Sequence, residues 1–345
     1  MNKPMFSIIV PVYNAEKTVS RTIHHLKAIL FDSYEVLLIN DGSTDQTYEL
    51  ISREITGDSR FQVYTTKNQG PGSARNFGIS RAAGKYLLFF DADDYPSPSV
   101  LIDYSKLLES NNRIQLIISS FTMITRYNEK LSKKKYLVED IIYYKKEDFQ
   151  NSIYQLMCKQ LMYVLWNKCY RRDLIIENNI RFKNYRSCED RMFNLEYFKL
   201  CDVVAMNSKN EYYYEYDPSD GITTRYFDDK FDSFKEFYQL ANQVTLDRNR
   251  TGMAALHLKG TVSVIFSIFG NAHLPWKKKK SQVYSILNDD TIIEAKKITE
   301  VDTTPRKLTK LIFDLPNALS FCILNFGSWV ERKFPKIIFS IKKRY

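Results

Sequence analysis

Histidine is scarce in this chain of 345 residues: there are four, and none lies between residues 26 and 256. A histidine metal ligand in the first two thirds would have to come from the C-terminal part. Cysteine is also sparse. The five, Cys158, Cys169, Cys188, Cys201 and Cys322, are odd in number and form no C-x-x-C pair. That argues against a cysteine metal site, and scattered unpaired thiols suit a reducing compartment. The sequence lacks G-x-x-x-x-G-K-[ST], which excludes a P-loop. It also lacks G-x-G-x-x-G after the first predicted strand, where "PVYNAEK" stands instead. A secretory leader is not legible either. The apolar run Met5–Tyr13 is short, broken by Pro11, and reads as a first strand, so the catalytic part is expected in the cytoplasm. No internal repeat is present.

What remains is an ordinary globular composition, 44% hydrophobic and 26% charged, in a chain long enough for two domains. Short apolar runs recur at Phe6–Val12, Glu35–Ile39, Phe61–Tyr64, Tyr86–Phe90 and Ile114–Ser119. Between the first four lie segments of helical pattern, Ala15–Leu30, Asp45–Ile55 and Ser73–Ala83. This alternation predicts an α/β fold with a mostly parallel sheet flanked by helices. Ligands bind such sheets at the carboxyl ends of the strands, which gathers Asn14, Asp41 and Asp91–Asp94 at one edge. Further on, "KLSKKKY" reads as a solvated loop or hairpin, and residues 151–200 as mostly helical with a break near 183–188. "EYYYEY" reads as a strand leading to a turn at Pro218–Gly221, and the chain from Asp228 as helical.

The chemistry is concentrated at the strand ends. "LLFFDADD" runs a buried strand into Asp91, Asp93 and Asp94. Two charges about 4 Å apart repel by roughly 4 kcal/mol at an effective dielectric near 20. Such a cluster faces open water or holds something positive. In "INDGSTD", Asp41 follows a strand and can either cap the next helix or accept an imide N–H. In "NQGPGSARNFGI", two glycines around a proline let the backbone approach a ligand, and Arg75 falls in the first turn of a helix, whose N-terminus favours anions. "SCEDRMFNLEYF" places Glu189 and Asp190 at the start of a helical segment, as capping acids or as a general base.

Together, "SIIVPVYNAEKTV", "INDGSTD", "NQGPGSARNFGI", "FFDADD", "WNKCYRRDLI" and "CEDRMFNLEYF" resemble, in order and spacing, the family 2 glycosyltransferases of the GT-A fold, of the bacterial cell-surface polysaccharide type. The resemblance covers about residues 5–225. It implies that Pro11, Tyr13, Asn14, Asp41, Arg75, Asp91 and Ala92 hold a nucleotide-sugar, with Asn40 where the family's second motif usually has its first acid. It implies that Asp93 and Asp91 bind Mn²⁺ or Mg²⁺, hard cations suited to oxygen ligands. Asp190 would be the base of an inverting transfer, Asp94 would support the metal ligands, and Trp166, Asn167 and Glu189 would lie on the acceptor side or behind the residues that line it. Trp166 and Asn167 are expected on a helix, with Trp166 either against a sugar or in the core. The donor would be a UDP-sugar and the acceptor a hydroxyl of a glycan or lipid-linked glycan. Rival readings are a catalytically silent partner subunit and a haloacid dehalogenase-type phosphatase. The latter needs D-x-D-x-[TV] on the first strand, whereas here the pair is later and Tyr95 fills the last position.

The expected domains are residues 1–225, split into a donor half 1–100 and an acceptor half 101–225, and a basic helical region 226–345. Residues 276–345 contain 15 Lys and Arg against 7 Asp and Glu, which is +8 of the net +10. Leu311–Val330 is long enough to suggest a membrane span, but Asp314, Pro316, Asn317, Asn325 and Gly327 interrupt it. Two readings stand: an interfacial segment on an anionic membrane, making the protein peripheral at the inner face of the cell membrane, or a helical subdomain packed on the core. Nucleic acid is not expected as a partner, because no binding module accompanies the charge.

Overall fold

The computed structural model describes residues 3–127, 130–216, 226–299 and 301–334. The expected turn at Pro218–Gly221 and residues 335–345 of the tail lie outside them. The chain divides into two units, residues 1–184 with 189–220, and residues 185–188 with 221–345.

The first unit is built on β1 (Phe6–Val12), β2 (Tyr34–Asn40), β3 (Phe61–Thr65) and β4 (Tyr86–Phe89), joined by α1 (Val19–Lys27), α2 (Thr47–Ile55) and α3 (Pro71–Arg81). These four strands pair in parallel in the order β3-β2-β1-β4. Buried Ile8, Ile9, Val10 and Leu37–Ile39 make a continuous apolar layer, as expected where helices cover both faces. Register brings the strand ends level, with Val12 opposite Asn40 and Asn40 opposite Thr65. The loops carrying Asn14, Asp41, residues 66–70 and Asp91 therefore leave from one edge.

The second half of the sheet is mixed. It contains β5 (Tyr95–Pro96), β6 (Leu116–Tyr127), β7 (Lys130–Tyr136), β8 (Ile141–Tyr143), β9 (Lys168–Arg171) and β10 (Val204–Tyr216). β9 inserts antiparallel between β4 and β6, and β10 runs parallel to β6. "KLSKKKY" is β7, hairpin partner of β6. Helices α4 (Val100–Ser110), α5 (Lys146–Cys158), α6 (Arg172–Glu177) and α7 (Glu189–Phe198) complete the unit.

The second unit is helical: α8 (Lys230–Val244), α9 (Arg250–Gly270), α10 (Trp276–Leu287), α11 (Asp290–Ile298), α12 (Thr304–Asp314) and α13 (Asn317–Lys333). α9 touches all the others. Asp247–Gly270 is long and apolar enough to cross a membrane, but 67% of its most apolar window is buried, as in the core helix of a packed bundle. Leu311–Val330 is not one helix. Leu315 and Pro316 divide it, since Pro316 cannot continue the ladder. Gly327 lets α13 lie against Phe266 of α9, where a Cβ would come within 2.9 Å of the ring.

Candidate active site

Two turns define one side of the strand-end edge. Asn14 adopts φ +46°, a left-handed conformation that asparagine tolerates better than most residues. Its Oδ1 accepts from the Thr44 N–H at 2.9 Å, and its own N–H donates to Ser43 Oγ. The turn after β1 is thereby tied to the turn after β2. Tyr13 stands half exposed beside it, and Pro11 is partly buried on β1.

Asp41 is buried, and its carboxylate is engaged by the next loop. It accepts from Thr66 Oγ1 at 3.1 Å, Gln69 N–H at 3.1 Å and Gly70 N–H at 2.7 Å. Asp41 thus fixes the backbone leading into α3. A ligand N–H would add to these bonds rather than meet an empty carboxylate. Asn40 supports the turn, its Oδ1 accepting from the Ser43 N–H.

The centre of the site is Arg75. Its guanidinium donates to Asp190 Oδ1 at 2.9 Å and to Asp91 Oδ1 at 3.0 Å, and lies 3.5 Å from Glu189 Oε1. One planar cation therefore joins the D-x-D segment after β4 to the acidic start of α7, 115 residues away in sequence from Asp190. Neighbouring contacts explain how α3 reaches α7. Asn76 exchanges two hydrogen bonds with the backbone of Phe182. The Phe182 ring stacks on Phe193 of α7 at 4.1 Å and lies beneath Arg75. Gly72 permits the approach, because a Cβ there would sit 3.2 Å from Phe182 Cβ.

Electrostatics sharpen this arrangement. Burial works against the Arg75 charge, but Asp190, Asp91 and Glu189 outweigh it and raise its pKa. Asp190 is pushed up to about 7, first by burial and then by Glu189 and Asp91, with Arg75 pulling the other way. Asp93 rises to about 6 through desolvation and the adjacent Asp91 charge. Its backbone oxygen accepts from Arg21, which also pairs with Glu215. Ala92 O accepts from Thr22 Oγ1 at 2.8 Å.

Asp94 is placed differently. It is buried, accepts from the Glu215 N–H at 2.8 Å, and is raised well above the usual carboxylate range by burial and by Asp93 and Asp91. Its visible task is to anchor β10 beneath the acidic turn. From β10, the Tyr212 hydroxyl accepts from the Asp91 N–H at 3.0 Å.

One expectation is corrected, and of the two readings of Trp166 the core is observed. Trp166 and Asn167 lie in a turn before β9, not on a helix, and both are buried. Trp166 stacks on Tyr212 at 4.6 Å and meets Phe121 edge-on, so its faces are taken by core aromatics. Asn167 is consumed within the fold, donating to Ser119 O and accepting from Lys168 Nζ at 2.8 Å.

Asp91 and Asp93 suit a hard divalent cation. Asp91 gives Arg75 only Oδ1, and Asp93 stands exposed two residues on, so both offer hard carboxylate oxygens. Among the described residues no group of three or more His, Cys, Asp or Glu could hold a metal. The remaining ligands would come from a bound diphosphate and water. Sequence reasoning missed Arg21, Tyr212 and Phe182. Asn76 was visible beside Arg75 in "SARNFGI", but its partner 106 residues away was not.

Comparisons with known proteins bear on the family and the fold. Residues 7–176 match the family model for glycosyl transferase family 2. The chain is similar to the uncharacterized glycosyltransferase EpsJ of Bacillus subtilis (strain 168), 30% identical over 217 residues, 63% of this chain and 62% of EpsJ. It is also similar to the poly(ribitol-phosphate) beta-N-acetylglucosaminyltransferase TarS of Staphylococcus aureus (strain MW2), 27% identical over 214 residues, 61% of this chain and 35% of TarS. In both cases it spans less than two thirds of the relative's length. Among solved structures, S. aureus TarS 1–349 in complex with UDP-GlcNAc superposes with a TM-score of 0.67 and 18% identity, covering 95% of this chain and 91% of that one. At that identity the likeness is one of fold.

Proposed function

The chain belongs to glycosyltransferase family 2, and from that premise we propose that it moves a sugar, as a hexosyltransferase, from a UDP-sugar to a hydroxyl of a cell-surface glycan precursor, with inversion at C1. The observation that carries this reading is the Arg75 bridge between Asp91 and Asp190, which sets a diphosphate-side acid and a candidate base at one edge of the sheet. A UDP donor is favoured by the likeness to TarS, whose structure holds UDP-GlcNAc.

In this reading Tyr13, Asn14 and the loop fixed by Asp41 border the nucleotide. Asp93 and Asp91 would hold Mg²⁺ or Mn²⁺, which when bound offsets diphosphate charge and stabilises the departing UDP. Asp190 accepts the proton of the acceptor hydroxyl as its oxygen attacks C1 from the face opposite the diphosphate. A raised pKa suits that role, because a base works best with a pKa near the working pH. Arg75 holds Asp190 in place through an ion pair that it shares with Glu189.

The test is Asp190→Asn, assayed for transfer across a panel of UDP-sugars and for donor binding. Binding should persist while transfer falls by at least about 10²-fold. Near-normal turnover would remove Asp190 from the role and leave Glu189 as the next candidate.

A further inference from the structure

The last two helices use only one face each for packing. Phe313 of α12 and Phe321 and Leu324 of α13 enter the core around α9. On the other side, α13 exposes Leu319, Ile323, Phe326 and Trp329, spaced by three or four residues along one stripe. Phe326 is 64% exposed, and its ring stacks on Trp329. α12 likewise exposes Leu308 and Leu311. Single exposed apolar residues are common, but an aligned stripe of large ones marks a contact surface.

Charge indicates what meets it. Exposed Lys307 borders the α12 pair, Arg332 and Lys333 close the end of α13, and residues 335–345 add four basic and no acidic side chains. Trp276, at the start of α10, lies 5.6 Å from Phe321 and is followed by exposed Lys277, Lys278 and Lys280. The acid on exposed α12, Asp314, is already paired with Lys310 at 2.9 Å. A second copy brought face to face would set lysine against lysine. An anionic lipid surface instead accepts both the apolar stripe and its basic border.

We propose that the outer face of α12 and α13, with the lysines of α10, docks on an anionic bilayer surface, the helices lying in the headgroup plane. Packing and membrane contact are then not alternatives, since each helix does both. Deleting the segment is a poor test, because it would also open the α9 core.

The experiment uses the full chain with two vesicle types, phosphatidylglycerol mixed with phosphatidylcholine, and phosphatidylcholine alone. The chain should sediment with the anionic vesicles at low salt, lose much of that binding as salt rises, and keep an apolar remainder. Phe326→Glu with Trp329→Glu should weaken partitioning at least about tenfold. Lys277→Glu with Lys278→Glu, both at exposed positions, should weaken it by about fivefold per charge removed, on anionic vesicles only. Melting curves check that each variant is folded, and the lysine pair decides the matter should the aromatic pair unfold. A wild-type chain that ignores anionic vesicles at low salt would overturn the proposal. So would binding unchanged in both variants, or a dimer that the aromatic pair dissolves in a chain that binds no vesicles.

Discussion

At the scale of the residue, Arg75 decides how the acids around it titrate. Its guanidinium stabilises the ionised form of Asp190 against burial and against the charges of Glu189 and Asp91. If Asp190 is the base, the rate falls on acidification as Asp190 takes up its proton. Replacing Arg75 by Gln removes a cation that contacts all three acids. The acid limb of kcat/KM should then move to higher pH by roughly 1–3 units, the usual effect of an adjacent opposite charge. Arg75→Lys keeps the charge but loses the planar fork, so its shift should be smaller. A pH–rate profile in which the limb stays put in Arg75→Gln would show that Asp190 does not govern it.

At the scale of the element, β10 supports the D-x-D turn from below. Tyr212 accepts the Asp91 N–H on its hydroxyl, and its ring stacks on Trp166 and meets Phe90 at a tilt. Tyr212→Phe retains the stack but leaves that N–H without its acceptor, a loss of about 1–3 kcal/mol. The proposed consequence is weaker Mn²⁺-dependent donor binding with metal-free UDP binding little changed, read by titrating UDP with and without Mn²⁺. This dependence was not legible in the sequence, where "YYYEY" shows a strand but not which tyrosine lies beneath Asp91. β1 to β4 were legible because each is an apolar run next to a helical pattern, and their parallel register gathered the acids as expected. β9 was not, because Lys168–Arg171 has only four residues, too few to show a period of two. Without β9, the helical pattern on either side places Trp166 and Asn167 on a helix. The tail was half legible: its residue types gave apolar and basic character, but only the helix orientation showed that packed and exposed faces coexist.

At the scale of the whole molecule, the two units should respond to acid in opposite directions. In the first, Asp93, Asp94, Asp190 and Glu211 all have raised pKa values, and Glu211 reaches about 7 mainly through burial. A raised carboxylate binds its proton more readily folded than unfolded, so these groups add stability as pH falls from about 8 to 5. His25, lowered mainly by burial, opposes them weakly. In the second unit His257 is buried against Tyr238 and lowered to about 4 by burial. Below its ordinary value of 6.5 the unfolded chain takes up a proton that the folded one refuses. Stability is therefore lost progressively toward pH 4, on the order of 3 kcal/mol in all. Calorimetry across this range should show the transition of the first unit rising while that of the second falls. Mn²⁺ added near pH 7.5 should raise only the first, and the gain should fade once Asp93 is protonated. Transitions that move together, or an Mn²⁺ effect on the second, would contradict this assignment.

The place of β9 also bears on how the protein is made. β4 is complete at Phe89, yet the strand that covers its outer edge begins only at Lys168. On a ribosome adding roughly 5–20 residues per second, the intervening stretch of about eighty residues takes on the order of 4–16 s. During that interval a hydrophobic strand with unpaired backbone groups waits on the nascent chain, able to pair with a neighbouring polypeptide on the same message. The strand that joins the two halves of the finished sheet is thus a late arrival, and the chain's exposure to misassembly during synthesis is set by that delay.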